Sequence, residues 1–234
     1  MVRKRGVHML GSLGDHILPP RCLMCGSLGD VRLGVCSMCS SLIRRVPEPV
    51  CDICGIPIGT SGICLACTQE MPPYDRMRGV FCFEGLLKDM IHAFKYGRYT
   101  ALKRFLGKSM VDGLSCGEKR LDFLTYVPMH WTKVMERGYN QAALLAKEVS
   151  RVMGLELKTG VLKKVRNTQA QAGLDKQGRG RNVRGAFAAS GIEGKSIMVV
   201  DDVITTGETA REVARTLKKA GAAYVFFASL GRVV

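Results

Sequence analysis

At 234 residues, 47% hydrophobic and 24% charged, the chain has room for one core of ordinary domain size plus a small appendage. It carries no apolar run near the roughly 20 residues that a membrane-spanning helix requires, so no transmembrane segment is expected. Its net charge of +15 favours polyanionic partners, nucleic acid or phosphorylated small molecules, because neutralised phosphates release their counterions.

The basic start, Met1 to Gly6, resembles the first part of a signal peptide. The apolar stretch behind it is interrupted by Gly11, Gly14, Asp15 and His16 and lacks a small-residue cleavage site, so a cytoplasmic location is expected, with Val7 to Leu18 a short helix packed on the domain behind it. In that compartment ten cysteines point to metal before disulfides. Eight of them form four C-x-x-C pairs: Cys22/Cys25, Cys36/Cys39, Cys51/Cys54 and Cys64/Cys67. A two-residue gap lets both thiolates of a tight turn face one ion, and two such turns complete the tetrahedral set of a closed zinc site. Gly26 and Gly55 follow two of the pairs, where a turn calls for positive φ. A tandem pair of zinc ribbons is expected, against disulfides or an iron–sulfur cluster. The simplest pairing gives Cys22, Cys25, Cys36 and Cys39 one ion and Cys51, Cys54, Cys64 and Cys67 another; a crossed brace has the same spacing. With few apolar residues in this stretch, metal should supply much of its folding energy. The ribbons are either architectural or present Arg21, Arg32, Arg44 and Arg45 to a nucleic-acid strand. Cys82 and Cys116 stand alone and are read as packing or surface thiols.

Pro47, Pro49, Pro57, Pro72 and Pro73 punctuate the first third, and the pattern changes after Tyr74. This sets a boundary near residue 72, with a zinc-ribbon module over 1–72 and a second domain over 73–234. In the latter, strands are expected at Gly79 to Phe83, Phe123 to Val127, Ser196 to Val200 and Tyr224 to Leu230. Helices are expected at Leu86 to Phe94, Asn140 to Met153 and Glu208 to Ala220, the last stopped by Gly221. Strands alternating with helices of this length predict an α/β fold, a parallel sheet flanked by helices.

The most informative segment runs from Ile197 to Thr209. A buried strand ends in Asp201 and Asp202, and a Thr205-Thr206-Gly207 turn then opens a helix at Glu208, at the carboxyl end of a strand where such sheets bind ligands. Amides at a helix N-terminus carry partial positive charge, so Thr205, Thr206, Gly207, Glu208 and Thr209 suit a phosphate, and Gly207 permits its close approach. The two carboxylates suit ribose hydroxyls and a magnesium ion. The plainer reading makes them a solvated strand end beside a helix cap.

This segment resembles the signature of the type I phosphoribosyltransferases for 5-phosphoribosyl-1-pyrophosphate (PRPP). With the cysteine ribbons, the run from Val127 to Ala142 and the runs Arg166 to Leu174 and Arg181 to Phe187, the chain resembles over nearly its whole length the ComF family of competence-associated proteins, which join a double zinc ribbon to a phosphoribosyltransferase domain. The resemblance implies that PRPP and magnesium bind at Asp201, Asp202 and Thr205 to Thr209, and that pyrophosphate is held at Arg137, Gly138 and Tyr139 with Lys133 adding charge. It also makes the basic segment Lys163 to Arg184, with Lys164, Arg166, Lys176, Arg179 and Arg181, a loop that closes over the ligand. Gly178 and Lys164 depart from the family pattern in that loop. No base-reading set marks the acceptor region, Tyr74 to Lys95, although His92, Lys95 and Tyr96 are candidates there. Two functions follow: a phosphoribosyltransferase with an unidentified acceptor, in which Asp201, Asp202 and Arg137 act on the reacting centre, or a single-stranded DNA-binding competence protein, a partner of the DNA-uptake machinery, whose PRPP pocket is a sensor or relic.

Overall fold

The computed structural model describes residues 20–114, 120–167 and 183–234. In the first ribbon a two-stranded hairpin, β1 (Val31–Arg32) and β2 (Val35–Cys36), leads into a single helical turn, α1 (Ser37–Ser41). The second ribbon ends in a similar turn, α2 (Leu65–Gln69). Next come β3 (Arg76–Cys82), α3 (Gly85–Tyr96), a 3₁₀ turn over Thr100–Leu102, α4 (Lys103–Gly113), β4 (Phe123–Tyr126), α5 (Trp131–Arg137) and α6 (Gln141–Met153). A short antiparallel pair, β5 (Leu162–Lys164) and β6 (Phe187–Ala189), precedes β7 (Ser196–Ile204), α7 (Glu208–Lys219) and β8 (Tyr224–Arg232).

β3, β8, β7 and β4 form one parallel sheet in that order, as the alternation of strands and helices implied. Its two faces are covered differently. Met198, Val200, Phe226 and Ala228 pack against Phe94 of α3, Leu106 of α4 and Leu145 of α6. On the other face Ile197, Val199, Val225 and Phe227 meet Val213 and Leu217 of α7, with Leu162 and Phe187 of the β5–β6 pair alongside. Near-continuous apolar runs suit strands buried on both faces. Asn140 caps α6 by accepting from the amides of Ala142 and Ala143, as an N-cap asparagine does.

The ribbons extend these two cores. Cys22, Val35, Cys36 and Cys39 lie in the first, and Cys51, Cys54 and Cys67 in the second. Backbone bonds join ribbon and sheet: Met77 N–H donates to the Ile53 carbonyl at 2.7 Å, Val46 N–H to Val80 at 3.0 Å and Cys82 N–H to Arg44 at 2.9 Å. Arg78 reaches back to the carbonyls of Cys51 and Asp52. The few apolar residues of the ribbons are thus supplemented by the sheet. Among the described residues no helix is long and apolar enough to cross a membrane.

Candidate functional site

The cysteines form two sets, Cys22, Cys25, Cys36 and Cys39, and Cys51, Cys54, Cys64 and Cys67, each with its sulfurs within 4.8 Å of one another. This is the consecutive pairing; the crossed brace is not adopted. The two turns repeat one geometry. Gly26 and Gly55 donate their amides to the carbonyls of Cys22 and Cys51, both at 2.9 Å and both with positive φ, 75° and 66°. The amides of Cys36 and Cys64 point at the sulfurs of Cys22 and Cys51.

These thiols fit a zinc ion. Burial pushes Cys22 and Cys51 up, but surrounding amides outweigh it and bring each down to about 6. Burial and neighbouring sulfurs push Cys39 and Cys67 well up. Four sulfurs at this spacing cannot all ionise without a cation between them. Arg232 adds an observation at the second set: it is buried, and its Nε and Nη1 have no hydrogen-bond partner. Burial lowers its pKa while the thiols of Cys54, Cys51 and Cys64 pull the other way. A zinc tetrathiolate carries two net negative charges, and a buried guanidinium beside it compensates one of them. Gly79 makes room for that side chain, since a Cβ there would stand 2.5 Å from Arg232 Cβ.

At the carboxyl end of β7 a cleft of about 700 Å³ is lined by Asp201, Asp202, Thr205, Thr209, Lys133, Arg137, Lys164 and Lys95, among others. A nook of about 40 Å³ opens beneath the turn, between Asp201, Thr205, Gly207 and Glu208. Gly207 has a φ of 80° and starts α7. The amides that open this helix, at Gly207 and Glu208, have no carbonyl a turn earlier to bind within it, and they form the positive end of its dipole. Burial and the Asp202 charge push Asp201 up to about 8 from 3.8. Asp202 is 4% exposed; its Oδ1 pairs with Lys95 Nζ at 3.0 Å and its Oδ2 is buried without a partner. Two adjacent carboxyls, one with an orphaned oxygen and the other kept from ionising by burial and its neighbour's charge, form a donor set for cations, and Lys95 supplies one of those cations. Burial and Lys133 lower Lys164 to about 8 against the pull of Asp201.

Arg137 donates to Gln141 Oε1 at 2.7 Å and lies 4.7 Å over the Tyr96 ring. The Gly138 amide donates to the Val134 carbonyl at 2.7 Å as the left-handed cap of α5, so Gly138 serves the turn's geometry. Tyr139 donates its hydroxyl to the Phe94 carbonyl and ties this loop to the end of α3. Of the acceptor candidates, Lys95 and Tyr96 line the cleft, whereas His92 is exposed and meets the Tyr96 ring at 4.8 Å with the planes tilted by 50°. The basic segment begins in β5 and ends just before β6; its Lys176, Arg179 and Arg181 lie outside the described residues, as do Cys116 and Val7 to Leu18. Cys82 is buried. The Lys95–Asp202 pair escaped the sequence reading, since nothing in the order of residues links positions so far apart.

A second cavity of about 540 Å³ lies between the first ribbon and α4. Its charged groups satisfy one another locally, Lys108 with Asp112 at 2.8 Å and Arg32 with Asp30 at 3.4 Å, so they offer no convergent polar set to a ligand.

Residues 13–74 match the double zinc ribbon domain family, and residues 139–232 match the phosphoribosyl transferase domain family. With two tetracysteine sets docked on a parallel sheet, the chain is a double-zinc-ribbon protein with a phosphoribosyltransferase-type domain. The DNA utilization protein YhgH of Escherichia coli is 32% identical over 216 residues, spanning 89% of this chain and 95% of that protein. Competence protein F of Haemophilus influenzae is 30% identical over 212 residues, spanning 86% and 92%. The chain belongs to the ComF family that these relatives represent. Among solved structures it resembles a glutamine PRPP amidotransferase from B. subtilis, 24% identical with a TM-score of 0.38, over 55% of this chain and 26% of that one.

Proposed function

We propose that the chain binds PRPP with magnesium in the β7 cleft and works in the cytoplasm on the path by which incoming DNA is used, as a phosphoribosyltransferase whose acceptor is unidentified. The observation that carries this reading is the meeting, in one cleft, of the Asp201–Asp202 carboxylates, Thr205 and Thr209 of the helix-opening turn, and Lys133 and Arg137, with Gly207 and Glu208 bordering the nook beside it. Asp201 accepts from a ribose hydroxyl, and the turn's amides hold the 5-phosphate. Lys133 and Arg137 hold the pyrophosphate beside Gly138 and Tyr139. Magnesium, when bound, screens the charge between carboxylates and pyrophosphate. In the transfer an acceptor lone pair forms the new bond to the anomeric carbon as the bond to pyrophosphate breaks, and pyrophosphate departs with the electron pair. The carboxylates stabilise the cationic sugar between these events. The test is ligand-induced thermal stabilisation, which follows mass action. PRPP with magnesium should raise the melting temperature of the parent and leave that of the Asp201→Asn, Asp202→Asn variant unchanged. Equal stabilisation of both proteins would refute the site.

A second reading, single-stranded DNA binding, draws on a specific observation. The elements bordering the cleft expose Trp131 at 69%, Tyr96 at 62% and Tyr99 at 46%, next to Arg98. Base stacking on aromatic rings beside cations is how single strands are gripped without sequence preference. Trp131→Ala should weaken binding of a single-stranded oligonucleotide, and parent affinity should fall steeply with salt. Binding that ignores both would remove this reading.

A further inference from the structure

The two adjacent carboxylates of β7 do not stand in equivalent places. Successive side chains of a strand leave on opposite faces, and the cores record the alternation: Ile197 and Val199 lie in one, Met198 and Val200 in the other. Asp201 continues the first set and borders both the cleft and the nook beneath the turn. Asp202 continues the second, on the side of α3, where Lys95 meets its Oδ1 at 3.0 Å. Lys95 itself is held in place. It follows Phe94, whose side chain is fully buried and whose carbonyl accepts from Tyr139.

On the reading of this cleft as a sugar-phosphate site, we propose that Asp201 is the carboxylate that meets the ligand and that Lys95 is a built-in counter-cation to Asp202, standing where a divalent ion would otherwise bind. Two unpaired carboxylates in a half-enclosed cleft repel an anionic ligand unless cations offset them. With Lys95 in place one negative charge is offset by the chain itself, so ligand uptake varies little with magnesium beyond the ion carried by the ligand. The bond from the Tyr139 hydroxyl to the Phe94 carbonyl ties the Arg137 loop to the end of α3 that carries Lys95, so Lys95 acts on the ligand through Asp202, as a positioning residue.

Two measurements test this. Manganese, a spin probe for divalent-cation sites, is titrated into ligand-free protein and followed by electron paramagnetic resonance; PRPP is titrated calorimetrically at low and at high magnesium. Lys95→Met should bind manganese roughly tenfold more tightly than the parent, because Asp202 is released. It should also bind PRPP roughly tenfold more weakly at low magnesium and recover at high magnesium. Adding Asp202→Asn to Lys95→Met should remove the gain in manganese binding, and Asp201→Asn should lose PRPP at both magnesium levels. Equal manganese affinity in parent and Lys95→Met overturns the proposal, as does a PRPP affinity in Lys95→Met that tracks the parent's at both levels. A parent that takes up no PRPP refutes the proposed function, and the manganese titration then still decides the pairing.

Discussion

Gly55→Ala probes how the second ribbon is joined to the sheet. Gly55 has a φ of 66°, and an added Cβ would stand 2.4 Å from the Met77 carbonyl oxygen and 3.4 Å from Arg78 Cα. Both neighbours are backbone, so no side-chain rotation relieves the overlap and the turn must back away from β3. That displacement opposes the bond from Met77 N–H to the Ile53 carbonyl at 2.7 Å and those from Arg78 to the carbonyls of Cys51 and Asp52 at 3.1 and 3.0 Å. A left-handed alanine costs about 1–2 kcal/mol and each bond about 1 kcal/mol, together roughly 4 kcal/mol, or a fall in melting temperature of roughly 8–16 °C for a chain of this length. Gly26→Ala is the control. Its φ is 75° but nothing lies within 4 Å of the added Cβ, so only the conformational term remains and the fall should be roughly 3–6 °C. The assay is thermal melting by circular dichroism, with zinc content measured on each protein. Equal falls in the two variants would refute the docking of this ribbon on β3.

Metal analysis of protein purified without added metal should find two zinc ions per chain; none, or stoichiometric iron, would contradict the reading of the cysteine sets. Without ligand, the stability of the parent should fall as pH rises from about 4 to about 8. Folded Asp201, raised to about 8, holds a proton that the unfolded chain has released above 3.8, and a group of raised folded pKa loses its stabilising effect as pH climbs through that value. Asp201→Asn should therefore gain melting temperature over the parent across that window, with the difference constant above it; parallel curves would show that the carboxyl is not perturbed. Tyr139→Phe, which removes the hydroxyl bond to the Phe94 carbonyl, should lower stability by about 1 kcal/mol and weaken PRPP binding, and unchanged PRPP affinity would uncouple the loop from α3.

The parts of the fold legible in the sequence are those with strong local signals. The apolar runs of β7 and β8, the C-x-x-C turns and the Asn140 and Gly207 helix starts each carry their own chemistry within a few residues. Two helices of the second domain had no such signal. In α4 Gly107 interrupts the helical pattern, and the structure gives the reason: a Cβ there would stand 2.5 Å from Glu148 Cβ of α6. In α5 no residue is buried and Trp131 and Met135 are exposed, so the helix has no apolar stripe to read. β3 begins at Arg76, ahead of the apolar run, and includes Arg78, which bonds the ribbon carbonyls of Cys51 and Asp52. At the candidate site the turn and its carboxylates were legible as a continuous segment. The split between Asp201 and Asp202, the Lys95 pair and the Arg232 guanidinium beside the second cysteine set depend on contacts between distant segments, which local pattern does not encode.

The most direct test of the central claim is calorimetric titration of PRPP with magnesium, and of a single-stranded oligonucleotide, into one preparation of the full chain. The account predicts saturable uptake of one PRPP per chain that disappears in the Asp201→Asn, Asp202→Asn variant while its two zinc ions and its fold are retained. Titration of the parent with no heat of PRPP binding at any magnesium concentration, or a double variant that binds PRPP as the parent does, would contradict it.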